Sequence, residues 1–174
     1  MRHHRLSPLP GLILLALLAG CGAPAPQAVP PQSTLPPSSA ELTIVTGQTV
    51  FVPAYSHIFY GSSQQTMNMA ITLAIHNTDP DTPIIIQSVR YYDTEGNLVQ
   101  DFVAQPVTLG PLATTGFLVP ENDLSGGWGA NFMVEWGAEQ AVYEPVVEAV
   151  MINASAGWGA SFVSEGRVVS EQLP

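Results

Sequence analysis

The sequence predicts an all-β domain, most simply an antiparallel immunoglobulin-like β-sandwich of about eight strands. Apolar and small or polar residues alternate strictly from Met67 to His76, which is the period of a strand with one buried face. The 16 prolines and 15 glycines divide the chain into short segments, none with the three-and-four spacing of an amphipathic helix. A small barrel is the alternative architecture for such strands.

Residues 1–20 have the features of a lipoprotein signal peptide. Arg2 and Arg5 form a basic start, residues 11–19 form an apolar run, and Leu18-Ala19-Gly20-Cys21 places a cysteine directly after small residues. The apolar run is shorter than the roughly 20 residues of a membrane span. We therefore expect cleavage before Cys21 and acylation of its thiol, with palmitate-type chains holding the protein on a membrane.

Residues 21–40 are predicted to form the acylated cysteine and a disordered tether. The segment is rich in proline, alanine and serine and carries no charge, so it favours extended polyproline-like chain at about 3 Å per residue. Gly22 follows the cysteine where an aspartate would favour retention in the inner membrane. We therefore expect the periplasmic face of the outer membrane rather than the inner membrane.

Residues 41–174 are predicted to form the β-sandwich domain. The predicted strands are 49–55, 67–76, 84–92, 98–103, 115–119, 131–136, 146–152, 160–164 and 167–169. Turn-forming residues at 77–81 and 93–97 separate the second, third and fourth of them.

The charge of the chain excludes some partners. Two of the four basic residues, Arg2 and Arg5, precede the predicted cleavage site, whereas all 14 acidic residues follow it. Arg90 and Arg167 are then the only fixed cations of an acidic domain, so a nucleic acid partner is not expected. Because acylation uses the only cysteine, disulfides and thiolate chemistry are not expected either.

No motif in the sequence predicts catalysis, a metal or a cofactor. His57 beside Ser56 could act as the general base of a hydrolase, but the sequence gives no spacing that supplies an orienting acid. His57, His76, Asp79 and Asp81 lack the spacing of a metal site. Our expectation is a protein that is not an enzyme and needs no cofactor.

A candidate binding surface is suggested by aromatic residues in and beside predicted loops. Its members are Tyr55, His57, Tyr60, Tyr91, Tyr92, Trp128 and Trp158. Both tryptophans belong to a repeated motif, GWGANFMVE from residue 127 and GWGASFVSE from residue 157. The repeat is consistent either with a pair of exposed ligand-binding tryptophans or with two similar entries from a loop into a strand.

Three charged residues lie within or beside apolar strands. Arg90, Arg167 and Glu148 would each be costly to bury without a partner. We therefore expect Glu148 to form a structural ion pair with one of the arginines, unless all three point to water.

Several runs of the sequence resemble the bacterial DUF3124 family. They include GQTVFVPAYSHI from residue 47, SVRYYD from residue 88, GANFMVEW from residue 129 and EPVVEAVM from residue 144. The resemblance implies a secreted or lipid-anchored bacterial protein without an assigned activity, and it carries over no catalytic residue. The expected function is that of a lipid-anchored envelope module that binds a protein partner. The alternatives are a periplasmic binder of small molecules or glycans and, third, the hydrolase based on His57.

Overall fold

The computed structural model of the protein describes residues 42–62, 65–154 and 159–172. The predicted signal peptide (1–20), the tether with Cys21 (21–40) and Trp158 lie outside these residues.

The described residues form twelve strands and one short 3-10 helix. The strands are β1 (Thr46–Pro53), β2 (His57–Tyr60), β3 (Gln65–Asn68), β4 (Ala70–His76), β5 (Ile84–Tyr92), β6 (Leu98–Asp101), β7 (Val107–Leu109), β8 (Thr114–Val119), β9 (Asn131–Ala138), β10 (Val146–Asn153), β11 (Ala160–Glu165) and β12 (Arg167–Gln172). The 3-10 helix spans Gly127–Gly129, in the loop of residues 120–130 that joins β8 to β9.

Two antiparallel sheets pack on each other. Sheet I has the order β12-β1-β9-β5-β6, and β7 also pairs with β5. Sheet II has the order β11-β10-β4-β8, and β2 and β3 form a separate hairpin. The predicted all-β class and antiparallel sheets are therefore confirmed, and the arrangement is sandwich-like.

The core lies between the two sheets, as the alternation of residues predicts. In β4, Ile71, Leu73 and Ile75 are fully buried while Thr72 is exposed. Trp136 of β9 is the largest of the fully buried side chains. Burial of each such large apolar side chain contributes about 1.5–3 kcal/mol.

β11 and β12 are separated only by Gly166, where the chain passes from sheet II to sheet I. At the corner, the amide of Gly166 donates to the carbonyl of Val147 at 2.8 Å. A Cβ at Gly166 would lie 2.5 Å from Val50 Cγ1 and 2.8 Å from the same carbonyl oxygen. The close approach explains why the corner residue is a glycine.

The predicted strand 67–76 is the clearest difference from the sequence analysis. Met67, Met69 and Ile71 are all buried, so the alternation is correct throughout. The hydrogen-bonding partners nevertheless change at Met69, since β3 pairs with β2 whereas β4 pairs with β8 and β10. Strands β2 and β7 were not predicted either.

The two ends of the sandwich carry different loops. The Trp128 end comprises the β2–β3 hairpin, the β5–β6 turn (93–97) and the β8–β9 loop (120–130). The Asn77 end comprises the loops of residues 77–83, 110–113 and 139–145.

The first described residues of the chain lie at the Asn77 end. The amide of Thr43 donates to Glu139 Oε1 at 3.1 Å, and that of Val45 donates to the Ala138 carbonyl at 2.9 Å. The chain therefore enters the domain at the end opposite to Trp128.

Candidate binding surface

The β8–β9 loop is fixed from two sides by hydroxyl-bearing residues. The amide and Oγ of Ser56 both donate to the Gly127 carbonyl at 3.0 Å. The amide and Oγ1 of Thr94 donate to the Gly126 carbonyl at 2.9 and 3.1 Å. The Thr94 hydroxyl in turn accepts the amide of Gly129 at 3.1 Å. The backbone on both sides of Trp128 is thereby held in place.

Two glycines make this loop conformation possible. A Cβ at Gly126 would overlap the hydroxyl of Tyr91, because the loop packs directly on that ring. Gly127 has φ +77°, in the left-handed region, and a Cβ there would overlap the Thr94 hydroxyl. Gly126 and Gly127 therefore favour this conformation of the β8–β9 loop.

The loop displays Trp128 beside the β2–β3 hairpin. Trp128 is 54% exposed and Phe59 is 53% exposed, with ring centroids 6.3 Å apart. The ring of His57 meets that of Phe59 edge to face, at 5.7 Å and 89°. We refer to His57, Phe59 and Trp128 as the aromatic patch.

Phe59 was missing from the predicted surface, although the sequence holds a signal for it. Side chains alternate between the two faces of a strand, and Ile58 and Tyr60 pack against the core. The ring between them must therefore face outward, as Phe59 does.

The other predicted aromatic residues do not join the patch. Tyr55 is half-buried and packs edge to face on Phe162 at 5.7 Å. Tyr60 is also half-buried and packs against the core, and Tyr92 is half-buried in β5. Trp158 lies outside the described residues, so its prediction is not tested.

Tyr91 was wrongly assigned to a binding surface. The side chain is 1% exposed, and its ring packs on Phe132 with centroids 4.8 Å apart. Burial, followed by the negative charge of Asp123, raises the pKa of the Tyr91 phenol far above its usual value. Its role is therefore to fill the core beneath the β8–β9 loop.

The repeated motif corresponds in both copies to the entry into a strand. Residues 131–135 of the first copy lie in β9, and residues 161–165 of the second lie in β11. The matching phenylalanines point toward the core, since Phe132 is fully buried and Phe162 packs against the core cluster. Only the first copy displays its tryptophan within the described residues.

The surroundings of His57 differ from those of a catalytic base. The hydroxyl of Ser56 is fully buried and donates to the Gly127 carbonyl, so it anchors a loop. The buried Nδ1 of His57 has no hydrogen-bond partner among the described residues. An oriented acid and an activated nucleophile, which a hydrolase site requires, are not formed here by the described residues.

The predicted ion pair between Glu148 and an arginine is wrong. Arg90 is paired with Glu135 on the neighbouring strand of sheet I. Glu148 lies in sheet II, where its Oε1 is 3.7 Å from His76 Nε2. Arg167 is exposed on β12 and lies within 4.0 Å of no carboxylate of the described residues. Arg90 does have an acidic partner, but the partner comes from the same sheet.

Asn77 connects two loops at the other end of the sandwich, those of residues 77–83 and 110–113. The side chain is 2% exposed. Its Nδ2 donates to the carbonyls of Thr82, Gly110 and Leu109 at 2.8, 3.0 and 3.3 Å. Its Oδ1 accepts the amide of Asp79 at 3.0 Å. From the sequence, Asn77 is predicted only to lie in a turn.

Asp79 adds a second set of bonds there. It is 7% exposed, and its Oδ1 accepts the amides of Asp81 and Thr82 at 3.0 and 2.8 Å. Its Oδ2 accepts the amide of Tyr143 at 3.1 Å. These amides, that of Asp81 above all, hold the pKa of the Asp79 carboxyl below its usual value.

Other potential sites in the described residues are less developed. One open cleft of about 200 Å³ is lined in part by Gln48, Trp136 and Glu144, and another of about 400 Å³ by Pro53 and Arg167. Neither contains a residue of the aromatic patch.

Within the described ranges, no three His, Cys, Asp or Glu side chains are grouped to hold a metal ion. The same residues include no helix with the length and hydropathy of a membrane span.

Comparison with known proteins supports the resemblance found in the sequence. A family model described as "Protein of unknown function (DUF3124)" matches residues 47–169. No curated protein matches the chain. The chain is similar to a solved structure titled "Crystal Structure of Thermotoga maritima 1070", at a TM-score of 0.44 and 12% identity, covering 69% of this chain and 92% of that chain.

Proposed function

The chain belongs to the DUF3124 family, whose function is unknown, and we propose that it is a lipid-anchored envelope protein that binds a protein partner through its aromatic patch. The anchor is the acylated Cys21, the tether is residues 21–40, and the place is the periplasmic face of the outer membrane. The domain binds this protein partner and catalyses no reaction.

One observation carries the proposal: Phe59 and Trp128 are both more than half exposed and lie side by side. Large aromatic side chains in solvent forgo the stabilisation of burial, and they are the residues that contribute most to binding in protein interfaces. Because Ser56 and Thr94 already fix the Trp128 loop, binding would lose little conformational entropy.

The position of the patch suits a protein held by its N-terminus. The chain enters at the Asn77 end, where Thr43 and Val45 are bonded to Glu139 and Ala138. The eight residues of β1 then cover about 26 Å at about 3.3 Å per residue. A tether attached at the Asn77 end would leave the aromatic patch on the far side of the domain, facing away from the membrane.

The anchor is tested by the substitution Cys21→Ser in the full chain. We expect the variant to appear in the soluble fraction after cell lysis, because it lacks the thiol that would be acylated. The wild-type chain, fractionated in parallel, should remain with the membranes. A variant that stays in the membrane fraction would show that something other than Cys21 holds the protein.

Binding through the patch is tested by site-specific photo-crosslinking in intact cells. A photo-reactive phenylalanine analogue replaces Phe59 or Trp128 in the full chain, and a third variant carries it at Tyr143. Tyr143 is the matched control because it is an aromatic residue, 69% exposed, at the Asn77 end. We expect a discrete protein adduct from positions 59 and 128 and none from position 143. The same adducts from all three positions, or none from any, would contradict the proposed function.

A further inference from the structure

We infer that the partner presents a cationic side chain, arginine or lysine, to the face of Trp128. This inference rests on the proposed function, because it specifies the chemistry that the aromatic patch recognises. It follows from the charges that surround the patch and from the absence of an arginine or lysine in its loops among the described residues.

The loops around the patch carry carboxylates and no cation within the described residues. The carboxylates of the Trp128 end are Asp93, Glu95, Glu121 and Asp123. Glu95 follows Thr94, whose hydroxyl accepts the Gly129 amide at 3.1 Å. Two of the carboxylates thus belong to the loop that displays Trp128, and a third lies next to one of its anchors.

Three of these carboxylates accept hydrogen bonds, and none of the four forms an ion pair with a described residue. Glu121 accepts Nδ2 of Asn153 at 2.8 Å. Asp123 accepts the hydroxyl of Ser125 at 2.6 Å, and Asp93 accepts the amide of Asn97 at 2.7 Å. Because these hydrogen-bond donors are neutral, they do not cancel the negative charge of the carboxylates. The electrostatic potential at the aromatic patch is therefore negative.

Within the described residues, the ring of Trp128 contacts that of Phe59 and stacks on no arginine. Arg90 is bound to Glu135 on the face of sheet I. Arg167 lies opposite Phe51, at the start of the edge strand β12. The chain has no lysine. The exposed face of Trp128 is therefore open to a cation from another molecule.

An exposed indole ring and nearby carboxylates attract the same kind of group. The face of an aromatic ring carries the negative part of its quadrupole, and among the aromatic side chains tryptophan binds cations best. Carboxylates at the rim strengthen the attraction and speed the encounter with a basic surface. They repel phosphates and acidic proteins. A purely apolar partner would gain nothing from these charges.

The test uses the purified full-length lipoprotein in nonionic detergent and two short peptides as probes. One peptide carries two arginines separated by glycine, and the other carries citrulline, the neutral analogue of arginine, at both positions. Binding is followed by NMR through the indole N–H signals, and the Trp128 signal is identified by its loss in Trp128→Ala.

We expect the arginine peptide to shift the Trp128 signal and the citrulline peptide to bind at least about tenfold more weakly. Trp128→Ala should weaken arginine binding by about 3- to 30-fold, the range of a cation–π contact. Glu95→Gln should weaken it by about two- to threefold, and added salt should do the same. Two controls at the Asn77 end, Tyr143→Ala and Asp81→Asn, should leave it unchanged.

Two results would overturn this inference and leave the proposed function standing. Equal binding of the arginine and citrulline peptides would show an apolar contact. Undiminished arginine binding to Trp128→Ala would show general attraction to an acidic protein. Failure of the proposed function itself would be seen separately, as the absence of adducts from positions 59 and 128 in the crosslinking experiment.

Discussion

At the Asn77 end of the sandwich, buried side chains bond the loops to one another, whereas at the Trp128 end similar bonds hold a loop so that its largest side chain faces solvent. Asn77 and Asp79 are almost completely buried and use nearly all their polar atoms on backbone groups. Ser56 is as fully buried, yet the loop that it fixes exposes Trp128. Similar hydrogen bonds therefore join loops at one end and, at the other, hold a loop whose exposed ring lies beside Phe59.

The difference supports the proposal of a contact surface at the Trp128 end. Both ends expose an aromatic side chain, Tyr143 at the Asn77 end and Trp128 at the other, but Trp128 lies against a second exposed ring, that of Phe59. Fixing a loop so that a tryptophan remains in solvent brings no comparable gain in stability, and such exceptions are expected at functional sites. The comparison predicts that substitutions at the Asn77 end mainly lower stability. At the Trp128 end, substitutions of residues that hold the loop should lower stability, whereas substitutions of the exposed rings should weaken partner binding.

The largest effect is expected for Asn77→Ala. The substitution removes the side-chain donor to three carbonyls in a partly buried loop junction, where the Gly110 carbonyl keeps an amide donor, that of Ala113 at 3.1 Å. We expect a loss of about 2–4 kcal/mol in the free energy of unfolding, measured by chemical denaturation. Asn77→Asp is the informative companion because it keeps the shape and the acceptor but cannot donate. A variant within about 0.5 kcal/mol of the parent would mean that the Asn77 end is not held by this side chain.

A smaller effect, about 1–3 kcal/mol, is expected for Gly126→Ala at the Trp128 end. The added methyl group would collide with the hydroxyl of the buried Tyr91 and would lie 2.8 Å from Ala130 Cβ. The loop must shift, so the crosslinking of Trp128 should fall together with stability.

Gly110→Ala at the Asn77 end is the matched control for this substitution. Nothing lies within 4 Å of the position that its methyl group would occupy. Its stability should stay within about 0.5 kcal/mol of the parent. If both variants behave alike, then the Trp128 loop is not fixed by its packing on Tyr91.

The sequence was sufficient for the fold class because burial alternates with period two, and this pattern depends only on which residues are apolar. It was not sufficient for the partners of each strand. Residues 67–76 read as one strand because Met67 and Met69 continue the alternation, although the chain changes partners between them. Strands β2 and β7 have four and three residues, too few to show a period.

The candidate site was predictable to a smaller degree. The repeated motif is consistent with an exposed Trp128 or with a simple entry into a strand, and in the structure Trp128 is exposed and the motif leads into β9. The anchors could not be inferred, since Ser56 and Thr94 lie 71 and 32 residues from the carbonyls that accept their hydrogen bonds. The wrong ion pair has the same cause. Sequence shows that Arg90 needs an acid, but only the pairing of β5 with β9 places Glu135 next to it.

The smallest effect is expected in how the stability of the protein changes at acid pH. Each end of the sandwich has one aspartate whose pKa is lowered. Asp79 accepts amides from Asp81, Tyr143 and Thr82, and Asp93 accepts the side chain and amide of Asn97 first of all. A carboxyl whose pKa is lower in the folded state than its ordinary 3.8 stabilises the fold above that pH. This stabilisation is lost as the pH falls below 3.8 and through the pKa of the carboxyl in the folded protein.

Asp79→Asn and Asp93→Asn should therefore be less stable than the parent at pH 7, and the difference should narrow toward pH 3 because the parent alone loses this contribution. Unfolding by denaturant at both pH values measures the narrowing, with Asp81→Asn on the exposed surface as the control. Narrowing in Asp79→Asn alone would mean that only the Asn77 end depends on a charged carboxylate. Narrowing in both would show that the Trp128 loop rests beside a turn stabilised in the same way. A constant difference in both variants would contradict the assignment of these carboxylates as charged acceptors in the folded protein.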